Sequence, residues 1–199
     1  MTSGPGLAHF FVALLPPVAV QEEITAIQQE IWRRFGSQGA LNSPPHITLQ
    51  PPFHWAEGRV SELERVLAAF ARGRSPVPVQ LKNFSAFAPR VIYVDVVQTE
   101  TLTALQLALM AHLETTCGIV DAVAKGRPQF VPHATVGFRD LTREAFHDAW
   151  AEFQDRPFVA EFVVPQITLM RHGGQSGDRL NRFPGRQNWQ IFSEFRLNA

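Results

Sequence analysis

A short residue pattern occurs twice in this chain and restricts both its fold and its chemistry. It reads Pro-His-x-Thr followed by an aliphatic residue, and its histidines, His46 and His133, are 87 residues apart. In a strand, alternate side chains share a face, so each histidine and its threonine point one way and the intervening residue points the other way. Proline before the histidine favours extended backbone. We therefore predict that the first copy is a short, sharply bounded strand with a core face and a working face, and that the second copy is its equivalent.

Hydrophobic periodicity outside the two motifs indicates alternating strands and helices. A continuous apolar run predicts a buried strand at residues 9–15. Helical spacing predicts helices at 20–35, 58–72, 101–117 and 142–154, and strand patterns cover 76–84, 90–97, 130–137, 158–170 and a final segment from 189. Pro165 predicts that the strand at 158–170 is bent or at an edge. This order predicts an α+β protein of two pseudo-symmetric lobes that face one another across a shared cleft.

Composition and charge exclude several classes of protein. The 199 residues fit one domain, residues 1–199, with one motif in each of two interleaved lobes. Basic and acidic residues balance at 18 each, which excludes a non-specific duplex binder that needs a global positive field. Cys117 is the one cysteine, so neither an intrachain disulfide nor a cysteine-rich zinc site can form. The N-terminus lacks a basic signal region, and no apolar run approaches membrane-spanning length. We expect a cytoplasmic protein that does not enter a membrane.

Two histidines on facing lobes suit displacement at phosphorus. Histidine gives or takes a proton near neutral pH because its unperturbed pKa is about 6.5. Displacement needs a base on the attacking oxygen and an acid on the leaving oxygen, and a pseudo-two-fold pair supplies both. Thr48 and Thr135 lie two residues beyond the histidines, where their hydroxyls can donate to non-bridging phosphate oxygens. The paired motif therefore predicts a phosphodiester bound between the lobes.

The two motifs have competing interpretations, and the sequence argues against several of them. A single His-x-Thr is more often a polar strand face, but its repetition with matching flanks favours function. The chain has no His-Glu-x-x-His pattern, no Gly-x-Ser-x-Gly elbow and no phosphate loop ending in Lys-Ser/Thr, so we expect no metal and no cofactor. Two alternatives stay open. One is a nucleotide-binding module without turnover, and the other is a structural protein whose two histidines lie far apart.

These residues resemble a known family. The two motifs, with Gln50-Pro51-Pro52-Phe53 after the first, resemble the two-histidine phosphoesterase superfamily, specifically its branch of bacterial 2′-5′ RNA ligases and RNA 2′,3′-cyclic phosphodiesterases. The N-terminal apolar strand, the stretch from Phe87 through Arg90 to Tyr93, and Leu169-Met170-Arg171 extend the resemblance over most of the chain. The proline pair after the first motif departs from the better-known ligases, which commonly have a basic residue there.

The resemblance implies a fold and a reaction. The fold is bilobal, with antiparallel sheets lining a central cleft and helices outside. The reaction is the metal-independent opening of a 2′,3′-cyclic phosphate, on RNA ends or cyclic nucleotides, to a 2′-phosphate, with reversible 2′-5′ joining when a 5′-hydroxyl replaces water. His46 is implied as the proton donor to the leaving 3′ oxygen, His133 as the base that activates water, and Thr48 and Thr135 as phosphate ligands. Spacing alone does not decide which histidine plays which part. We expect the enzyme to act as a monomer.

Further candidates for substrate binding are two arginines and two phenylalanines. Arg127 and Arg171 can contact phosphate, and Phe53 and Phe87 can stack on a base. Core packing is the alternative interpretation for the phenylalanines, and solvent exposure is the alternative for the arginines. The histidines outside the motifs are interpreted as surface or packing residues; they are His9, His54, His112, His147 and His172.

Overall fold

The computed structural model describes residues 6–120, 130–173 and 188–198. Its strands are β1 (Leu7–Leu14), β2 (Ile47–Ala56), β3 (Val77–Phe87), β4 (Val91–Val96), β5 (His133–Gly137), β6 (Val159–Val164), β7 (Gln166–His172) and β8 (Trp189–Arg196). Its α-helices are α1 (Val18–Phe35), α2 (Val60–Ala71), α3 (Glu100–Cys117) and α4 (Arg143–Phe153), and short 3-10 helices span Gly39–Asn42 and Glu57–Arg59. The predicted α+β class is confirmed.

The strands form two antiparallel sheets of four. The first sheet has the order β2-β1-β7-β8, and the second has the order β5-β4-β3-β6. Both motif strands, β2 and β5, are therefore edge strands, and they lie against each other. This arrangement confirms the predicted pair of antiparallel sheets and places one motif on each side of their junction.

The helices begin and end where local chemistry dictates. The hydroxyl of Thr99 accepts a hydrogen bond of 3.2 Å from the amide of Leu102 at the start of α3, and Gly118 ends this helix with a φ of 68°. Thr142 caps α4 in the same way. Such caps satisfy amide groups that the first helical turn leaves without partners. Among the described residues, no helix has both the length and the hydropathy needed to cross a membrane.

The first sheet is buried on both faces near its centre. Phe10, Val12 and Leu14 of β1 join the main core, which the helices cover. Phe11 and Ala13 point to the opposite face, where they form a small second cluster with Met170 of β7. Strand alternation explains this division. The second cluster lies on the same face of the first sheet as His46 and Thr48.

One strand prediction is wrong, and another is right only in part. The first motif strand is not short, because β2 continues through Pro51 and Pro52 for ten residues. As an edge strand it tolerates prolines, and two register irregularities opposite β1 accommodate the extra residues. The segment 158–170 is interrupted at Pro165, as predicted, and its first part, β6, is an edge strand of the second sheet. Its second part, β7, is instead an inner strand of the first sheet.

Candidate active site between the motif strands

The two motif histidines are anchored in the same way. Nδ1 of His46 lies 2.8 Å from the carbonyl oxygen of Pro44, and Nδ1 of His133 lies 2.8 Å from the carbonyl oxygen of Val131. A carbonyl oxygen only accepts, so Nδ1 carries the hydrogen in both rings. When such a ring is neutral, its lone pair is on Nε2. Both rings therefore present Nε2 as the nitrogen that takes up or releases a proton.

The fold brings the two histidines within electrostatic reach of each other. Their strands are in contact at the facing sheet edges. The positive charge of His133 lowers the pKa of His46. Thr48 and Thr135 are half-buried, as are the two histidines, and lie two residues further along the same strands. The structural-protein interpretation requires the two motifs to lie far apart. The structure instead places them close together.

Burial is the main influence on the protonation of His46. It lowers the pKa of this imidazole to about 4, the hydrogen bond to the carbonyl of Pro44 opposes that shift, and the charge of His133 adds to it. Removing an imidazolium from water disfavours its charged form. In the substrate-free protein His46 is therefore neutral at pH 7.

Aromatic rings lie beside both histidines. Phe11 lies 4.8 Å from the ring of His46, measured between centroids. On the other side Phe87 and Tyr93 lie 5.0 and 5.1 Å from the ring of His133 and 4.6 Å from each other. Phe87 is 39% exposed, so part of its face is open to a ligand. Of the two phenylalanines suggested for base stacking, Phe87 is the one that the structure brings to the histidines.

Comparison with known proteins assigns the family. The family model described as the 2′-5′ RNA ligase superfamily matches residues 16–176, a segment that contains both motifs. The chain belongs to this superfamily. A protein of Geobacillus thermodenitrificans named "Putative phosphoesterase" is 32% identical over 163 residues, which cover 80% of this chain and 85% of that protein. A Bacillus pumilus protein of the same name is 33% identical over 163 residues, covering 80% of this chain and 86% of its own.

Solved structures share the fold of this chain. Escherichia coli LigT, crystallised with 3′-AMP, superposes with a TM-score of 0.69 at 18% identity, over 98% of this chain and 100% of that chain. The protein TT0787 of Thermus thermophilus gives a TM-score of 0.63 at 19% identity, over 95% of this chain and 97% of that chain. At such identities the likeness establishes the fold alone.

One acidic residue of this superfamily member was missed by sequence reasoning. Asp95 of β4 is the cross-strand partner of His133 in β5. Burial raises the pKa of Asp95, whereas the amide of Val96 and the positive charge of His133 lower it. A carboxylate opposite a histidine favours the imidazolium. The sequence does show Asp95 as the single charged residue in the apolar run of β4. That it lies opposite His133 depends on the register of the sheet, which the sequence does not show.

Buried glutamines support both motif strands. Nε2 of Gln28 in α1 donates a hydrogen bond of 2.9 Å to the carbonyl oxygen of Thr135, and Nε2 of Gln106 in α3 donates one of 3.4 Å to the carbonyl oxygen of Leu49. An edge strand leaves backbone carbonyls without ladder partners, and these amides satisfy one on each side. Helical periodicity placed both glutamines in helices but did not indicate this role.

Two of the further candidates lie away from the histidines. Phe53 is 9% exposed and packs 6.3 Å from Phe10 in the main core, so the prediction that it stacks on a base is wrong and core packing is correct. Arg171 pairs with Glu57 and lies over the ring of Phe10, on the sheet face opposite Phe11. Strand alternation, which sequence reasoning did not apply to this residue, explains the placement. Arg127 lies outside the described residues.

The described part of the chain contains no group of three or more His, Cys, Asp or Glu side chains placed to hold a metal ion.

Proposed function

We propose that this superfamily member is an RNA 2′,3′-cyclic phosphodiesterase that opens a cyclic phosphate to a 2′-phosphate by histidine acid and base catalysis. One observation carries the proposal: two His-x-Thr strands meet at facing sheet edges, and each histidine is anchored through Nδ1, so that Nε2 is the nitrogen that exchanges protons. General acid and base catalysis at phosphorus requires two such groups.

The proposed reaction has a defined balance of bonds and protons. One histidine takes a proton from water as the water oxygen bonds to phosphorus. The bond from phosphorus to the ribose 3′ oxygen breaks, and the other histidine gives that oxygen a proton. The hydroxyls of Thr48 and Thr135 donate to the non-bridging oxygens, whose charge changes during the displacement. Joining is the same displacement with the 5′-hydroxyl of a second RNA in place of water, and it leaves a 2′-5′ linkage.

The lowered pKa of His46 bears on the assignment of roles. The resemblance implies that His46 is the proton donor, but a donor must be charged, and burial leaves His46 neutral at pH 7 in the free protein. A bound phosphodiester places a negative charge beside the ring and favours imidazolium. We therefore propose that His46 acquires its proton together with the substrate, and that His133 activates water.

Related proteins support a nucleotide as the ligand. LigT has been crystallised with 3′-AMP, with phosphate, with NADP+ and with ATP. In this chain the exposed face of Phe87, beside His133, is suited to a base. Because one chain supplies both histidines and both threonines, we propose that the monomer is active.

Product analysis tests the proposal. An RNA with a 2′,3′-cyclic end is incubated with the protein in the presence of a chelator, with and without a second RNA that has a 5′-hydroxyl. A product ending in a 2′-phosphate supports hydrolysis, and a 2′-5′ linked product supports joining. A 3′-phosphate product, or a requirement for a metal ion, overturns the mechanism.

A nucleotide-binding module without turnover is the second candidate. The observation that favours it is the neutral state of His46, which cannot donate a proton unless a ligand changes its charge. Calorimetry with 3′-AMP, alongside the product assay, separates the two functions. Binding of 3′-AMP without any product in the assay would favour the nucleotide-binding module.

A further inference from the structure

A row of rings crosses the first sheet beyond the motif histidine. His54 on β2 and His9 on β1 are register partners with ring centroids 3.7 Å apart, and His172 on β7 lies 6.4 Å from His9. On the outer strand, β8, Trp189 pairs with His172 at 5.0 Å and lies nearly parallel to His9 at 6.4 Å. These four side chains, here called the ring row, extend across all four strands.

The ring row shares a face with His46. His9 and Phe11 are two residues apart on β1, so their side chains lie on the same side of the sheet. Phe11 contacts His46 with 4.8 Å between centroids and contacts Trp189 with 4.7 Å. One phenylalanine therefore separates the ring row from the candidate catalytic residue.

The ring row is open to a ligand and favours an anion. His9 and His54 are exposed, and His172 and Trp189 are half-buried. Partial desolvation lowers the pKa of the exposed His9 ring, and the positive charges of His54 and His172 lower it further, because charged imidazoles side by side repel one another. An anion beside the three rings reduces that repulsion and accepts hydrogen bonds from their N–H groups. The three histidines are not placed to share a metal ion.

We propose that the ring row is a subsite for the nucleotide that precedes the cyclic end of an RNA substrate. Its base stacks on Trp189, and its phosphate accepts hydrogen bonds from the imidazoles. The side chains of the ring row suit both parts of a nucleotide. The indole offers a flat apolar face to any base, and the adjacent N–H donors of the imidazoles suit a phosphate. The terminal base then takes the exposed face of Phe87, across the site from Trp189. This inference rests on the proposed function and makes an RNA end, rather than a free cyclic mononucleotide, the preferred substrate.

The test compares two substrates that share one cyclic end. A 2′,3′-cyclic mononucleotide and a dinucleotide with the same cyclic terminus are assayed for kcat and KM. Wild type should prefer the dinucleotide through a lower KM. Trp189→Ala should reduce that preference by roughly tenfold, the scale of one stacked base. Trp189→Phe should retain most of the preference, and the double variant His9→Gln, His54→Gln should reduce it. Trp32→Ala, on the exposed surface of α1, is the matched control and should not change the preference.

The outcomes separate this inference from the proposed function. If wild type turns over both substrates without preference, or if Trp189→Ala slows both equally, the subsite is wrong and the function stands. If wild type turns over neither substrate, the function fails. The subsite is then judged by calorimetry with a dinucleotide and a mononucleotide that end in 3′-phosphate. Trp189→Ala must weaken dinucleotide binding more than mononucleotide binding, and equal weakening or no effect rejects the subsite.

Discussion

Gln28 of α1 donates a hydrogen bond of 2.9 Å to the carbonyl oxygen of Thr135, 107 residues further along the chain. The helix that follows the first strand of the first sheet thereby supports the motif strand of the second sheet. Gln106 of α3 supports β2 of the first sheet at Leu49 in the corresponding manner. Each motif strand is therefore held by a helix from the other half of the chain. The relative position of the two histidines depends on these long-range contacts.

Substituting Gln28 with leucine should lower the free energy of unfolding by about 1–3 kcal/mol, because the partly buried carbonyl of Thr135 loses its donor. Urea unfolding at neutral pH measures the change. Gln29→Leu, on a less buried position of the same helix, is the matched control and should have a smaller effect. Equal stability of the Gln28 variant and wild type would show that the hydrogen bond contributes nothing measurable.

Removal of either motif histidine should abolish most activity on a 2′,3′-cyclic nucleotide. His46→Ala and His133→Ala are each expected to reduce kcat by at least about a hundredfold, the usual contribution of one acid or base. His147→Ala, on the exposed surface of α4, is the control. Turnover close to that of wild type in either motif variant would defeat the assignment.

The leaving group can distinguish the two histidine roles. An aryl phosphodiester releases a phenolate that needs no proton, so the proton donor becomes dispensable while the base that activates water does not. With His46 as donor, His46→Ala should lose much less activity on the aryl ester than on the cyclic nucleotide, whereas His133→Ala should lose activity on both. The opposite pattern would exchange the roles.

Stability should fall in acid because of His46. Its pKa of about 4 in the folded protein lies below the value near 6.5 in the unfolded chain, so between these values the unfolded state binds the extra proton. The stabilisation is present above pH 6.5 and is lost as the pH falls toward 4. Urea unfolding at pH 7 and pH 5 should show a larger decline for wild type than for His46→Asn, which has no titrating ring. Parallel declines would contradict the burial argument.

The loop before the first motif is attached to the loop after the second. The carboxylate of Asp140 accepts a hydrogen bond of 2.6 Å from the hydroxyl of Ser37 and bonds of 2.8 and 2.9 Å from the amides of Gln38 and Gly39. Asp140→Asn replaces an accepting oxygen with a donor, so we expect a lower melting temperature. Asp148→Asn, on the exposed face of α4, is the control. If both variants have the melting temperature of wild type, this attachment does not stabilise the fold.

Local sequence was sufficient for the helices and for the candidate catalytic pair. The four α-helices follow from residues that recur at helical spacing. Thr99 and Thr142 cap the starts of α3 and α4, and glycines end α1 and α3. These signals act within one or two turns of the chain, so they can be read without knowing the fold. The repeated motif likewise identified His46 and His133 before any contact between them was known.

Tertiary structure decided what depends on strand register and on the meeting of the two sheets. The position of Asp95 opposite His133, the burial of Phe53, the pairing of Arg171 with Glu57 and the alignment of His54, His9 and His172 all require knowledge of neighbouring strands. A shift of one residue in register moves a side chain to the other face of a sheet, and long-range packing sets that register. The sequence therefore determined which side chains are candidates for the chemistry, and the packing of two sheets determined which of them lie close together.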